Sequence, residues 1–235
     1  MNISCVWEHN GNDTILYATE LPGAYTRGKT LEVALGKMKA EIRSYLKWTD
    51  APLPERIDIT LCQEKTSELD IADADSDVLF ESETAPIPKE DYLRLKELAL
   101  KSAADFHALY ESIPDKHRSA ASVRKTFYGQ APRTAEEMYQ HTKSVNTYYF
   151  GEIEVDTDND GSIWDCRQRG FAALEQKPDY LQNPVIEGSY GESWSLRKLL
   201  RRFIWHDRIH AKAMYRMAIR EFGKDTIPNI FFFEV

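Results

Sequence analysis

Apolar residues recur at helical spacing in several stretches of the chain, and the longest of these runs from residue 194 to residue 222. Its apolar positions fall on one face of a helix, and they are Leu196, Leu199, Phe203, Ala213, Met214 and Met217. At about 100° per residue, His206 and His210 lie on that same face, one turn apart. The pattern therefore predicts a single long amphipathic helix that carries two histidines toward the interior.

Three further helical patterns precede it, at residues 92–113, from residue 134 onward and at residues 163–177. The second of these begins with a capping-box pattern, Thr134 to Glu137, and its inward face carries His141. Four helices of this length predict an all-α four-helix bundle over residues 88–235. The apolar C-terminal residues 226–235 predict a packed terminal strand.

The first 65 residues show a different pattern, with β-forming runs and one helical stripe. The predicted elements are strands at residues 3–9 and 14–20, a short third strand around 24–27, a helix at 31–48 and a strand through 57–61. Asn10-Gly11 is a hairpin turn signal, and Thr30 can cap the helix. The order predicts a small α+β domain with an antiparallel sheet and one helix.

Acidic residues are concentrated between these two regions. The chain has a net charge of −8, and residues 62–91 hold ten acidic and two basic side chains. This composition predicts an acidic linker at residues 66–87, with a short strand at Val78–Phe80. The predicted domains are thus 1–65 and 88–235. Both flanks are nearly neutral, which argues against nucleic-acid binding.

The sequence predicts neither a secretory signal nor a disulfide framework. No apolar run is long enough to span a membrane, and the N-terminus does not have the pattern of a secretory signal. Cys5, Cys62 and Cys166 are odd in number and far apart, which is typical of reduced thiols. We therefore expect a cytoplasmic protein without membrane contacts.

The Pro-Gly turn and the helix start after it resemble the HicB-type antitoxin domain. The matching residues are Leu21, Pro22, Gly23, Gly28, Thr30, Leu31, Ala34 and Leu35. The resemblance implies a partial RNase H-like sheet with one helix, and a small basic protein as a partner. We find neither a two-metal acidic cluster nor a DNA-binding element beside it. A structural or dimerisation module, which would allow a homodimer, is therefore the simpler interpretation.

Three predicted inward-facing histidines lie on two of the four helices: His141, His206 and His210. Facing helices of bundles build metal sites in this way. Three neutral imidazoles leave one open position on a tetrahedral ion, which is the pattern of a catalytic site. Hydrogen bonds to neighbouring helices are the simpler alternative for these side chains.

Other polar residues of the last helix have less specific interpretations. Asp207 follows a candidate ligand but points about 100° away from it, which predicts a surface residue or a hydrogen-bonded neighbour of the site. Arg197, Arg201, Arg208 and Lys212 form a basic stripe. This stripe can be a solvated face, an ion-paired surface between domains or a clamp for an anionic substrate.

A histidine on the second helix and the pair His206-x-x-x-His210 on the fourth resemble the DinB/YfiT-like family of four-helix bundles. The resemblance implies a divalent metal bound by His141, His206 and His210. Imidazole ligands suit Zn, Ni, Cu or Fe, and of these we expect Zn or Ni. The resemblance also implies a small-molecule substrate and either hydrolysis or transfer to a low-molecular-weight thiol. The alternative is a non-catalytic regulatory protein, in which the HicB-like domain binds a protein partner and the bundle is a scaffold.

Overall fold

The computed structural model describes residues 1–119 and 121–235, and its N-terminal part is a four-stranded sheet with one helix. The elements are β1 (Asn2–His9), β2 (Thr14–Ala18), β3 (Tyr25–Gly28), α1 (Leu31–Trp48) and β4 (Asp58–Thr66). The strand order is β3-β2-β1-β4, and β4 runs parallel to β1. The predicted antiparallel sheet is therefore wrong. The sheet is mixed because α1 crosses over and returns the chain in the direction of β1.

Turn and cap residues set the boundaries of these elements. Gly11 has a φ of 87°, and the Asn10 side chain accepts a hydrogen bond from the backbone N–H of Asp13, so the β1–β2 hairpin closes where it was predicted. The Thr30 hydroxyl accepts a hydrogen bond from the N–H of Val33 and begins α1 at the predicted position.

Residues 66–87, the predicted linker, pack against the sheet and the C-terminal helices. They contain two single-turn 3₁₀-helices, Ile71–Asp73 and Glu81–Glu83. Three of their side chains, Ile71, Val78 and Phe80, join a buried cluster with Val6, Ile15, Tyr17, Tyr25 and Trp205. This segment is acidic overall, but its few apolar residues contact both halves of the chain.

The predicted strand at Val78–Phe80 does not form. The backbone carbonyls of this stretch accept hydrogen bonds from side chains rather than from a neighbouring strand. Arg201 donates to the carbonyl of Val78 at 2.8 Å, and Gln63 donates to the carbonyl of Leu79 at 3.0 Å. The stretch is extended but lies outside the sheet.

Four α-helices follow: α2 (Lys89–Ser112), α3 (Ala135–Gly151), α4 (Ile163–Leu174) and α5 (Leu196–Phe222). Two short hairpins, each with strands of two residues, lie between these helices. They are formed by β5 (Lys125–Thr126) with β6 (Gly129–Gln130) and by β7 (Ile186–Glu187) with β8 (Ser193–Trp194). Single 3₁₀ turns occur at Tyr180–Gln182 and Ser189–Gly191. Helices α2 and α3 each pack against both α4 and α5. None of the helices in the described part of the chain could cross a membrane.

Helix α5 is the centre of the fold and is not amphipathic over its middle. Every side chain from Lys198 to Arg208 is buried. The helix packs on α2 and α3, where Phe203 of the predicted apolar face contacts Tyr149 and Phe150 of α3. On another side, Trp205 contacts Tyr17 and Tyr25 of the sheet. The helix is enclosed because the N-terminal sheet covers the side that was expected to face solvent.

The C-terminal tail is packed, as predicted, but it does not form a strand. Ile227, Phe231 and Phe233 are buried. The Asn229 side chain donates to the carbonyl of Phe233 and accepts from its N–H, both at 2.8 Å. Because these hydrogen bonds are local, this backbone folds on itself rather than pairing with the sheet.

The basic stripe of α5 pairs with acidic residues from the N-terminal half. Arg201 pairs with Glu83, and the Nη2 of Arg208 lies 2.7 Å from the Oε1 of Glu41. The Nζ of Lys212 lies 3.3 Å from the other oxygen of Glu41. The interpretation of the stripe as an ion-paired surface is confirmed for these residues.

The Pro-Gly turn of the N-terminal region lies against α5, and this contact leads to a prediction. Gly23 has a φ of 91°, and a Cβ added there would lie 2.4 Å from Cγ2 of Ile204. Gly11 has a φ of 87° but open space around it. We expect Gly23→Ala to lower the free energy of unfolding by about 1–3 kcal/mol more than Gly11→Ala, because only the former adds overpacking to backbone strain. Urea denaturation of both variants measures the difference, and equal losses would contradict this packing.

Candidate functional site

The rings of His141, His206 and His210 converge between α3 and α5. Their centroids are 5.3 Å apart for the pair 141–206, 4.6 Å for 141–210 and 4.5 Å for 206–210. One nitrogen from each ring can be chosen such that all three lie within 4.8 Å of one another. The two helices therefore bring together the three side chains that were predicted to meet.

Local sequence fixes where these histidines lie. The capping box of Thr134 and Glu137 begins α3 two turns before His141, as predicted. Ser195 caps α5 through a hydrogen bond from the N–H of Lys198. The i, i+4 spacing then places both histidines of α5 on one face, opposite α3.

The histidine rings have few polar partners in the protein. Nδ1 of His206 is buried and makes no hydrogen bond with any described residue. A buried nitrogen without a partner is costly, and a bound cation is one way to satisfy it. Three imidazole nitrogens at this separation suit a tetrahedral ion with one open position, so the residues present are compatible with a divalent metal.

Loss of hydration lowers the pKa of all three imidazoles. It lowers the pKa of His210 to about 3, and the neighbouring His141 adds to this effect. Burial, then His210 and His141, hold the pKa of His206 well below 6.5. Burial also lowers the pKa of His141. Neutral imidazole is the form that binds metals, so the site is in its ligating state at neutral pH.

The histidines line a cavity of about 760 Å³, which lies within the usual range for small-molecule sites. Much of its wall is aromatic. The ring of Tyr128 stacks on His141 at 5.1 Å, and the ring of Tyr149 meets His206 edge-on at 5.9 Å. Phe127 and Tyr190 lie at the rim and are exposed. The cavity can therefore enclose an organic molecule beside the histidine nitrogens.

Sequence reasoning missed the acidic wall of this cavity. Asp73, Asp75 and Asp77 line it, although they belong to the predicted linker. Burial raises the pKa of Asp75. Asp77 is paired with Lys65, whereas Asp75 forms no ion pair within the described parts of the chain. No spacing in the sequence links residue 75 to the histidines; only the folding of this segment over α5 brings them together.

The predictions for Asp207 are wrong. Asp207 is neither at the surface nor bonded to a histidine, because its fully buried carboxylate pairs with Arg167 of α4. It also accepts a hydrogen bond from Ser102 of α2 at 2.5 Å. This ion pair ties three helices together one residue away from His206.

Comparison of the chain with known protein families, with curated proteins and with solved structures finds no match in any of the three. The resemblances to the DinB/YfiT-like and HicB-type families therefore rest on the motifs described above and stay predictions.

The buried pair at Asp207 predicts a large stability effect. Asp207→Asn leaves the Arg167 charge buried without a counter-charge, and we expect it to lower the free energy of unfolding by about 3–5 kcal/mol. Asp158 pairs with Arg169 at the surface, so Asp158→Asn is the matched control and should cost less than about 1 kcal/mol. Chemical denaturation distinguishes the two, and similar losses would refute a buried ion pair.

The depressed histidine pKa values predict a pH dependence of stability. In metal-free protein, these histidines take up protons below about pH 6.5 when the chain is unfolded. In the folded chain they stay unprotonated to lower pH, which for His210 means down to about pH 3. Stability should therefore fall as the pH drops from 7 to 5, by up to about 1.4 kcal/mol per pH unit for each such histidine. His206→Gln should reduce this slope. The exposed His117 provides the control His117→Gln, which should keep the wild-type slope.

Proposed function

We propose that this protein is a metal-dependent hydrolase or thiol-dependent transferase of the DinB/YfiT-like kind. A divalent ion, Zn or Ni, would be held by His141, His206 and His210. The observation that carries the proposal is the convergence of three neutral imidazoles, within 4.8 Å of one another, at the wall of a cavity of about 760 Å³. An adjacent cavity gives a substrate access to such an ion, as catalysis requires and a purely structural site does not.

The arrangement of the helices supports the bundle that this proposal requires. Helix α5 packs on α2 and α3, and α4 packs on the same two helices. Each helix thus contacts two or more of the others, as in a four-helix bundle, and the candidate ligands project from facing helices into its interior. The mixed sheet with one crossover helix is likewise compatible with a partial RNase H-like N-terminal domain.

When bound, the ion would act as a Lewis acid that lowers the pKa of a water or a thiol. The chain supplies the surroundings. His206 and its two partners offer unprotonated nitrogens, while Tyr128 and Tyr149 limit the access of water. The carboxylate of Asp75 lines the same cavity and forms no ion pair within the described residues, which makes it the candidate proton acceptor.

The N-terminal region contributes to this site. Its acidic segment lines the cavity, and Glu41 of α1 pairs with Arg208 and Lys212 of α5. These contacts support a structural role for the HicB-like region. They lend less support to the alternative, in which it is a separate module for a protein partner.

Metal content is the first test of the proposal. Purified wild-type protein loaded with Zn or Ni should hold about one ion per chain by elemental analysis, because three imidazoles provide one site. His206→Ala and His141→Ala should lose the ion, whereas His117→Ala should retain it. A wild-type protein that holds no ion would overturn the proposal.

Turnover distinguishes the enzyme from the scaffold. Metal-loaded protein is assayed with activated esters, and with a low-molecular-weight thiol plus an electrophile. We expect product formation that is removed by a chelator, restored by the metal and absent in His206→Ala. An ion bound without turnover in either assay would favour the regulatory alternative.

A further inference from the structure

Helix α5 carries several cations into the protein interior, and nearly all of them have a carboxylate partner. Its buried cations are Lys198, Arg201, Arg202 and Arg208. The Nζ of Lys198 lies 2.7 Å from Glu192, Arg201 pairs with Glu83, and Arg208 pairs with Glu41. Such pairing is expected, because an isolated charge is very costly to bury.

Arg202 is the exception among these four. Its side chain is 8% exposed, yet no carboxylate of the described chain lies within ion-pairing distance of it. Its Nη1 donates to the carbonyl of Ser76 at 2.7 Å, and its Nε has no hydrogen-bond partner. Its guanidinium lies 4.8 Å from the ring centre of Trp205 and 5.5 Å from that of Tyr149. These rings hold the group in place without neutralising its charge.

The cavity that contains the histidines is also the cavity that Arg202 lines. Arg202 precedes His206 by one helical turn, so the two side chains share a face of α5. The Tyr149 ring lies beside both, 5.5 Å from the guanidinium and 5.9 Å from the His206 ring. The cation therefore stands next to the candidate metal ligands and faces the space that a substrate would occupy.

The carboxylates near Arg202 either bond to other residues or lie too far from it for an ion pair. Glu8 accepts a hydrogen bond from Ser76 at 2.5 Å, and Glu192 pairs with Lys198. Asp75 lines the same cavity and acts on Arg202 through space, but at more than 4 Å. A ligand that brings its own negative charge would complete the pairing that the other three cations obtain from the protein.

We propose that Arg202 binds a carboxylate of the substrate, so that the substrate class is a small organic acid with an apolar body. This inference rests on the proposed function, because it places the acid beside the histidine-bound ion. The carboxylate suits a planar guanidinium, which can donate two parallel hydrogen bonds to it. The apolar body suits the aromatic wall formed by residues such as Tyr128, Tyr149 and Trp205.

Benzoate and its neutral isostere benzamide test the inference. Cobalt-loaded and metal-free protein are titrated with each compound by calorimetry, and the visible bands of cobalt report whether the histidine site is filled. Wild type should bind benzoate at least about tenfold more tightly than benzamide in both forms, as expected for a charge-assisted pair. Arg202→Gln should lose this preference, and Arg202→Lys should keep part of it. Arg216→Gln, at an exposed position of α5, is the matched control and should behave as wild type.

The outcomes separate the two proposals. If cobalt fills the site but metal-free wild type does not prefer benzoate, the ion alone attracts the acid and the role of Arg202 is overturned. A preference that survives in Arg202→Gln overturns it as well. If wild type binds no cobalt, the proposed function fails, and this inference fails with it. The wild-type titrations do not depend on whether the Arg202 variants fold.

Discussion

The fold depends on neutralising the charges that α5 carries into the interior. From Lys198 to Arg208 the helix has no exposed side, so its ionic groups need partners on other elements. Glu41 comes from α1, Glu83 from the acidic segment and Arg167 from α4. A buried charge without its partner is strongly destabilising. Because Arg201, Asp207 and Arg208 of α5 are paired only when α1, the acidic segment and α4 surround the helix, this constraint couples the two halves of the chain.

The same coupling builds the candidate site. Helices α3 and α5 supply the histidines, but part of the cavity wall comes from residues 73–77, whose segment packs against α5 through buried apolar contacts. Phe80 packs in that cluster, and Arg201 bonds to both the backbone and Glu83 of this segment. Without this segment, the helices would leave the histidines more open to water. Residues before the first of the four C-terminal helices thus contribute acidic side chains to the wall of the pocket.

Periodicity and caps predicted the helices and hairpin well, because these depend on neighbouring residues. The capping box at Thr134 and the one-turn spacing of His206 and His210 are local signals. The errors involve long-range contacts. The sheet covers α5, so the middle of a helix that was predicted to be amphipathic is buried on all sides. Asp207, which was expected at the surface or beside a histidine, is a buried partner of Arg167. Net charge predicted an acidic linker at residues 66–87, and it gave no sign that apolar side chains of this segment pack against the sheet and α5. No local pattern could show that this segment lines the histidine cavity.

Packing, rather than hydrogen bonding, orients the histidines. Tyr128 stacks on His141 and Tyr149 meets His206 edge-on, while no hydrogen bond joins a described residue to the imidazole nitrogens of these histidines. Ligating histidines usually donate to a carboxylate or carbonyl, which fixes the tautomer and increases the basicity of the ligand. Without such a partner, either nitrogen can be the unprotonated one, and each imidazole is a weaker base. Three imidazole nitrogens would suit ions that accept nitrogen ligands, such as Zn, Ni, Cu and Fe, better than ions that prefer oxygen ligands.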